Sequence, residues 1–282
     1  APVILSLSTY PLVLPQLKNL LKHQHTYSFF NPSFHQDEAR EEILISWLFR
    51  YASEFRFQEI TVSLSIGIFD SLVSLVELSF PEMVLVGITS LFLACKMHES
   101  QAQTTRFAVG FPSFNLLRSE LEILNLLNFR LPVVTPLDVA YALLEHEPLK
   151  REIIFQNLSD KNSLKKFRRK VEEVDKVLCL DYTINSFVPG AVACAVVMIA
   201  KHELSFERPY GANLQGILKF KEEEVDSCFD KLLKVFCSNV KKFSGESGKH
   251  PGEIWAECES EEAADGFSFL SFDSKKKKKF FL

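Results

Sequence analysis

A chain of 282 residues is long enough for about two domains, and a net charge of −4 excludes a general affinity for nucleic acid, which needs a basic excess on some face. Apolar residues at 47% suffice for a packed core, and only 10 glycines argue against a turn-rich sandwich or barrel. Six cysteines, at 95, 179, 194, 228, 237 and 258, form no C-x-x-C pair, which speaks against a zinc ribbon. Cys95 and Cys194 fall inside apolar helical patterns and read as small buried hydrophobes of a reducing compartment.

In chain order the pattern is helical. Residues 3–14 are apolar but interrupted by Ser6, Ser8, Thr9 and Pro11, with no basic residue ahead of them, so a signal peptide is not expected. A short helix is predicted at 17–25, then a linker with Pro32. The stretch 37–55 is a strong helix: Asp37 suits the N-cap, and Glu38, Glu41 and Glu42 favour the positive end of the helix dipole. Ile43, Leu44, Trp47, Leu48 and Tyr51 form one apolar stripe.

Further helices are predicted at 58–76, 81–97, 112–127 and 136–147, with Pro81, Pro112 and Pro136 near the starts, where a missing N–H costs nothing. The segment between Met97 and Pro112 reads as a polar connection. The helix 81–97 is apolar nearly all round, as a helix surrounded by others must be. The second half repeats the plan, with helices at 163–183, 189–202, 212–219 and 221–243 and again an all-round apolar one, 189–202. No fifth helix is evident there. The longest apolar stretches, 83–95 and 187–200, fall short of the roughly 20 residues that span a bilayer. After Phe243 the composition turns to Gly, Ser, Glu and Lys without period, read as a disordered tail.

The fold class is therefore all-α, two tandem helical bundles with a tail, and a specific resemblance adds function. Ile43-Leu44-Ile45-Ser46-Trp47-Leu48 resembles the start of the cyclin box of mitotic and G1 cyclins. Phe55-Arg56-Phe57 and Ile68-Phe69-Asp70-Ser71-Leu72 resemble its second helix. Leu91-Phe92-Leu93-Ala94-Cys95-Lys96-Met97-His98-Glu99 resembles the third. Ser119-Glu120-Leu121-Glu122-Ile123-Leu124, then Leu127-Asn128-Phe129-Arg130-Leu131 and Thr135-Pro136, resemble the fourth and its exit. Leu180-Asp181-Tyr182 and Phe187-Val188-Pro189 through Ala195 resemble the C-terminal box. On this reading 1–36 is an N-terminal segment with a short helix, 37–135 and 136–243 are two five-helix cyclin boxes, the second incomplete, and 244–282 is the tail.

The resemblance implies a non-enzymatic subunit that binds and activates a cyclin-dependent serine/threonine protein kinase in cell-cycle progression, in nucleus and cytoplasm, without cofactor or metal. Lys96 and Glu120 match the pair that hydrogen-bonds the kinase C-helix and the loop before it. Met97, Leu124, Phe129 and Leu131 match apolar kinase contacts. Asp70 matches a structural aspartate that pairs with an arginine of the first helix. Arg40 lies seven residues before Trp47, one more than the family spacing, and Glu41 occupies the expected place. Either the helix start is shifted or Asp70 finds another cation. Ile43, Leu44 and Trp47 match the apolar floor of a docking patch for substrate or inhibitor peptides. Arg50 stands where an acid usually reads the Arg of Arg-x-Leu motifs, so a shallow groove that repels such peptides is expected.

The remaining signals are weaker. The acidic clusters 222–224 and 257–262 read as solvated surface and tail. The seven histidines show no i, i+4 pair for a metal. Lys165, Lys166, Arg168, Arg169 and Lys170 read as a solvated helix face or a targeting signal, and the run 275–279 fits a nuclear localisation signal or a solubilising tail. The alternative class is a scaffold of the general transcription factor IIB type, which shares the tandem helical fold; the acidic charge and missing C-x-x-C count against it.

Overall fold

In the computed structural model of the chain, the described residues are 19–22, 40–41, 43–76, 78–111, 116–132, 134–156, 162–206 and 222–243. No strand occurs among them. They belong to two compact units that divide between Leu131 and Pro132. The predicted helix 212–219, the tail 244–282 and most of 1–36 lie outside the described residues.

The first unit contains a π-helical stretch, Leu44–Phe49, continued by α1 (Arg50–Phe55), then α2 (Glu59–Leu75), α3 (Phe80–His98), α4 (Gln101–Val109) and α5 (Leu116–Leu126). α3 is the hub and packs against the π stretch, α2, α4 and α5. Every residue from Met83 to Cys95 is buried, as its all-round apolar sequence requires. Its start is set by a reciprocal capping box: Ser79 and Glu82 satisfy each other's orphan groups, and Pro81 occupies the first turn. Gly87 lets the Ile43 side chain come close to the backbone of α3. A Cβ there would stand 3.2 Å from the Ile43 side chain. By length and composition alone α3 could cross a membrane, but most of its apolar surface is buried inside this bundle.

The predicted polar connection after Met97 is instead α4. Its sequence, QAQTTRFAV, offers only Thr104 and Phe107 to the core, too few for a periodic signal. The Ser100–Gln103 capping box starts it.

The second unit contains α6 (Pro136–Leu144), α7 (Glu147–Gln156), α8 (Ser163–Cys179), a 3₁₀ turn (Tyr182–Ser186), α9 (Pro189–Glu203) and α10 (Glu222–Phe243). α9 is the hub, buried from Gly190 to Lys201, and packs on α6, α8 and α10. Leu20 and Leu21 also pack against this core. The predicted helix 136–147 stops at Leu144, and α7 follows as a separate helix. So α7 is a helix that the sequence did not reveal; it stands beside α6, α8, α9, α10 and the helical residues 19–22 of the same unit. The predicted helix 163–183 likewise ends at Cys179, because the Asp181 carboxylate accepts the Thr183 N–H and starts the 3₁₀ turn.

Candidate functional site

The first helix resolves the spacing of Arg40. Arg40 donates to Asp70 through Nε at 2.7 Å and Nη2 at 2.8 Å, a bidentate pair with both side chains buried. The π-helical winding of Leu44–Phe49 takes up the additional residue between Arg40 and Trp47. A π segment fits one more residue into a helix without turning what precedes it away from its partners. Arg40 therefore reaches Asp70 from one position further along the chain, and no other cation is needed.

Ile43 and Leu44 are completely buried and Trp47 is 2% exposed. The shallow groove expected from these three side chains is closed in this structure. Their stripe faces inward because the π stretch packs on α2 and α3, where Gly87 admits Ile43. Trp47 leads into an aromatic cluster through Tyr51 to Phe111 and Phe107. Arg50 is exposed.

Lys96 ends α3 and Glu120 stands on α5. The two meet: Lys96 Nζ donates to Glu120 Oε1 at 2.5 Å. Lys96 remains 42% exposed and Glu120 13%. The Lys96 ammonium also lies 5.3 Å from the centre of the Phe92 ring. The same segments expose large apolar side chains. Met97 is 41%, Leu117 69%, Leu121 54% and Phe129 64% exposed, while Leu124 and Leu131 are half-buried. Leu117, Glu120, Leu121 and Leu124 share one face of α5 by their three- and four-residue spacing, whereas Leu116, Ser119 and Ile123 face the core. Phe129 adopts a left-handed backbone, φ 57°, with its N–H bonded to the Leu124 carbonyl at 2.7 Å. That conformation costs a bulky residue of order 1–3 kcal/mol. Yet the ring is turned outward, where the bundle gains little from it.

Sequence reading missed Leu117 and Leu121. Their signal was present as a second apolar stripe on α5, surplus to what one buried face needs. It also left Glu99 without a role. The Glu99 carboxylate is buried and accepts the Gln58 N–H at 2.7 Å and the Thr61 hydroxyl at 2.6 Å. The acid after α3 thus caps the start of α2, 41 residues back in the chain. In the second unit Lys201 Nζ binds both Glu152 carboxylate oxygens, at 2.8 and 2.9 Å, with its side chain fully buried.

Comparison with known proteins agrees with this architecture. Residues 14–132 match the cyclin N-terminal domain and residues 152–250 the cyclin C-terminal domain. A G2/mitotic-specific cyclin-B of Dictyostelium discoideum is 25% identical over 213 residues, covering 73% of this chain and 46% of that protein. Cyclin-D3-2 of Arabidopsis thaliana is 27% identical over 207 residues, covering 70% and 53%. The chain thus spans about half the length of these relatives. A viral cyclin from herpesvirus saimiri has the same fold, with a TM-score of 0.58 at 14% identity, over 79% of this chain and 97% of that one. Two cyclin domains in tandem, each built around a buried central helix, make this chain a member of the cyclin family.

Proposed function

We propose that this chain is a regulatory subunit that binds a cyclin-dependent serine/threonine protein kinase, switches it on and so controls cell-cycle progression. The observation that carries this reading is the face formed by the end of α3 and by α5. There a partly exposed charge pair, Lys96–Glu120, is accompanied by the exposed side chains of Met97, Leu117, Leu121 and Phe129. Exposed apolar side chains together with polar groups are the anatomy of a protein interface. Family membership supplies the partner class. The subunit does no chemistry: it binds one arrangement of the kinase better than the others and shifts the kinase population toward it. Lys96 would donate to, and Glu120 accept from, a mobile segment of the partner, with Phe129 and Leu131 packed alongside.

The test is a titration of kinase activity against the chain and its variants, after pull-down has identified the kinase. Loss of one charge-assisted hydrogen bond costs about 1.5–3 kcal/mol, roughly 10- to 150-fold in affinity. Lys96→Ala and Glu120→Ala should each weaken binding and activation together by that factor. Leu121→Asp should do at least as much. A folded Lys96→Ala/Glu120→Ala double variant that activates its kinase like the parent would remove the assignment of this face.

A further inference from the structure

A second surface of the molecule belongs to the other unit. α8 opens with Ser163-Leu164-Lys165-Lys166-Phe167-Arg168-Arg169-Lys170, and no acid stands in its first turn. Phe167 and Val171 are buried, so the cations are turned outward on the opposite face. There Lys165, Lys166, Arg169 and Lys170 line a groove of about 450 Å³ together with Asn162, Glu173 and, from the segment after α9, the apolar side chain of Leu204. The cations are not equivalent. Arg168 points away from the groove, bonded to Glu172 at 3.1 Å and stacked 4.0 Å from the centre of the Tyr141 ring. Lys170 is held by Glu173 at 2.8 Å. Lys165, Lys166 and Arg169 have no acidic partner among the described residues. Three cations without an acidic partner among the described residues thus line one concavity, which Glu173 also lines, in a chain whose net charge is −4. Two of them stand in the first turn of a helix, where the dipole disfavours positive charge. Local stability has no use for them there, but an anion would.

We propose that this groove is a docking site for a phosphorylated serine or threonine peptide. A phosphoryl group carries about −1.5 to −2 charges and three strong acceptor oxygens, which suits three converging donors. A single carboxylate could satisfy only part of them. Arg169 offers the planar fork that grips a phosphate through two bonds. The Leu204 side chain accepts an apolar residue flanking the phosphate, which free phosphate lacks. A long polyanion fits less well: the Glu173 carboxylate also lines the groove and repels further negative charge. The proposal does not depend on kinase binding, which concerns the other unit.

The experiment uses the full chain and a fluorescein-labelled nonapeptide with one central phosphothreonine flanked by leucines. Fluorescence anisotropy compares it with the unphosphorylated peptide, with inorganic phosphate as competitor and with a labelled single-stranded RNA dodecamer. The phosphopeptide should bind about 10-fold or more tighter than its unphosphorylated twin, and Lys166→Glu/Arg169→Glu should abolish that difference. Acids near a helix N-terminus favour the dipole, so this variant should keep its helical spectrum and melting temperature. Should it unfold, Lys166→Ala/Arg169→Ala serves the same purpose. Equal binding of both peptides, or binding unchanged in a folded variant, overturns the proposal. So does displacement of the peptide by inorganic phosphate at the concentration at which the peptide itself binds, which marks a bare anion site. RNA binding tighter than the phosphopeptide overturns it in favour of a nucleic-acid surface.

Discussion

Lys96 and Lys201 hold equivalent places, each in the last turn of its bundle's central helix, and the two bundles use them in opposite ways. Lys201 has no exposed side-chain surface and its ammonium is gripped by both oxygens of Glu152 on α7. Lys96 is 42% exposed and meets one oxygen of Glu120 on α5. A buried cation must be paired wherever it sits, so the Lys201 pair is part of the second core. A pair at the surface gains little for stability and is left over for something else. The same motif, a lysine closing an apolar helix, is thus structural in one unit and available for a partner in the other. Sequence position cannot distinguish them; the neighbouring helix does.

The sharpest way to break this contrast is to remove the ammonium in each bundle. Lys201→Ala leaves Glu152 without its partner at the edge of a core and should cost about 3–5 kcal/mol. Urea unfolding of the variant should show the midpoint displaced accordingly. A change below about 1 kcal/mol would mean that Glu152 is resolvated freely and that the burial of this pair carries no weight.

Glu99 offers the next largest effect. It follows Lys96 by three residues but faces inward, so it should behave as a structural group despite its charge. Glu99→Ala leaves the Gln58 N–H and the Thr61 hydroxyl without their acceptor and should cost about 1–3 kcal/mol by thermal denaturation. Kinase activation, measured on the folded fraction, should be spared.

Each central helix also carries one buried thiol. Burial pushes the Cys95 thiol well above its ordinary value of 9.0. Burial pushes the Cys194 and Cys228 thiols up to about 12, at Cys194 with a smaller contribution from the neighbouring Cys228. The native state keeps these protons where the unfolded chain gives them up. Their contribution to stability is therefore complete below about pH 9 and declines as pH rises from there toward 12. The slope is about 1.4 kcal/mol per pH unit for each thiol. Unfolding free energies measured between pH 10 and 11 should fall with that slope, and Cys228→Ala should remove its share. Cys237, exposed on α10, should react with a thiol reagent in the native protein before any of the three.

The smallest expected effect completes the comparison. Lys96→Ala should change stability by no more than about 1 kcal/mol, because the pair it breaks is open to solvent. A loss as large as that of Lys201→Ala would make both lysines structural, and the case for the α3–α5 face would then rest on its apolar residues alone.

Much of the fold was legible in the residues themselves. The all-round apolar stretches around Gly87 and Ala193 could only be central helices, and Pro81 and Pro136 marked starts that the structure keeps. α4 and α7 were not legible. One gives only Thr104 and Phe107 to its core; the other buries Leu149 and Ile153 among its described side chains, and its Pro148 falls just past the end of the helix predicted at 136–147. Periodicity registers only what a helix buries along its length, and these helices bury little. The residues of the candidate face were nameable from their motif, but three matters were decided in three dimensions. The π winding restores Arg40 to Asp70, although the spacing in the chain argues against the pair. Ile43, Leu44 and Trp47 go inward because α2 and α3 cover them, which a stripe of apolar residues cannot announce. Leu117 and Leu121 are left outside because α3 takes only the opposite face of α5. Local pattern determines which residues can form a helix and which face is apolar; whether that face ends in a core or on a surface depends on what else arrives to cover it.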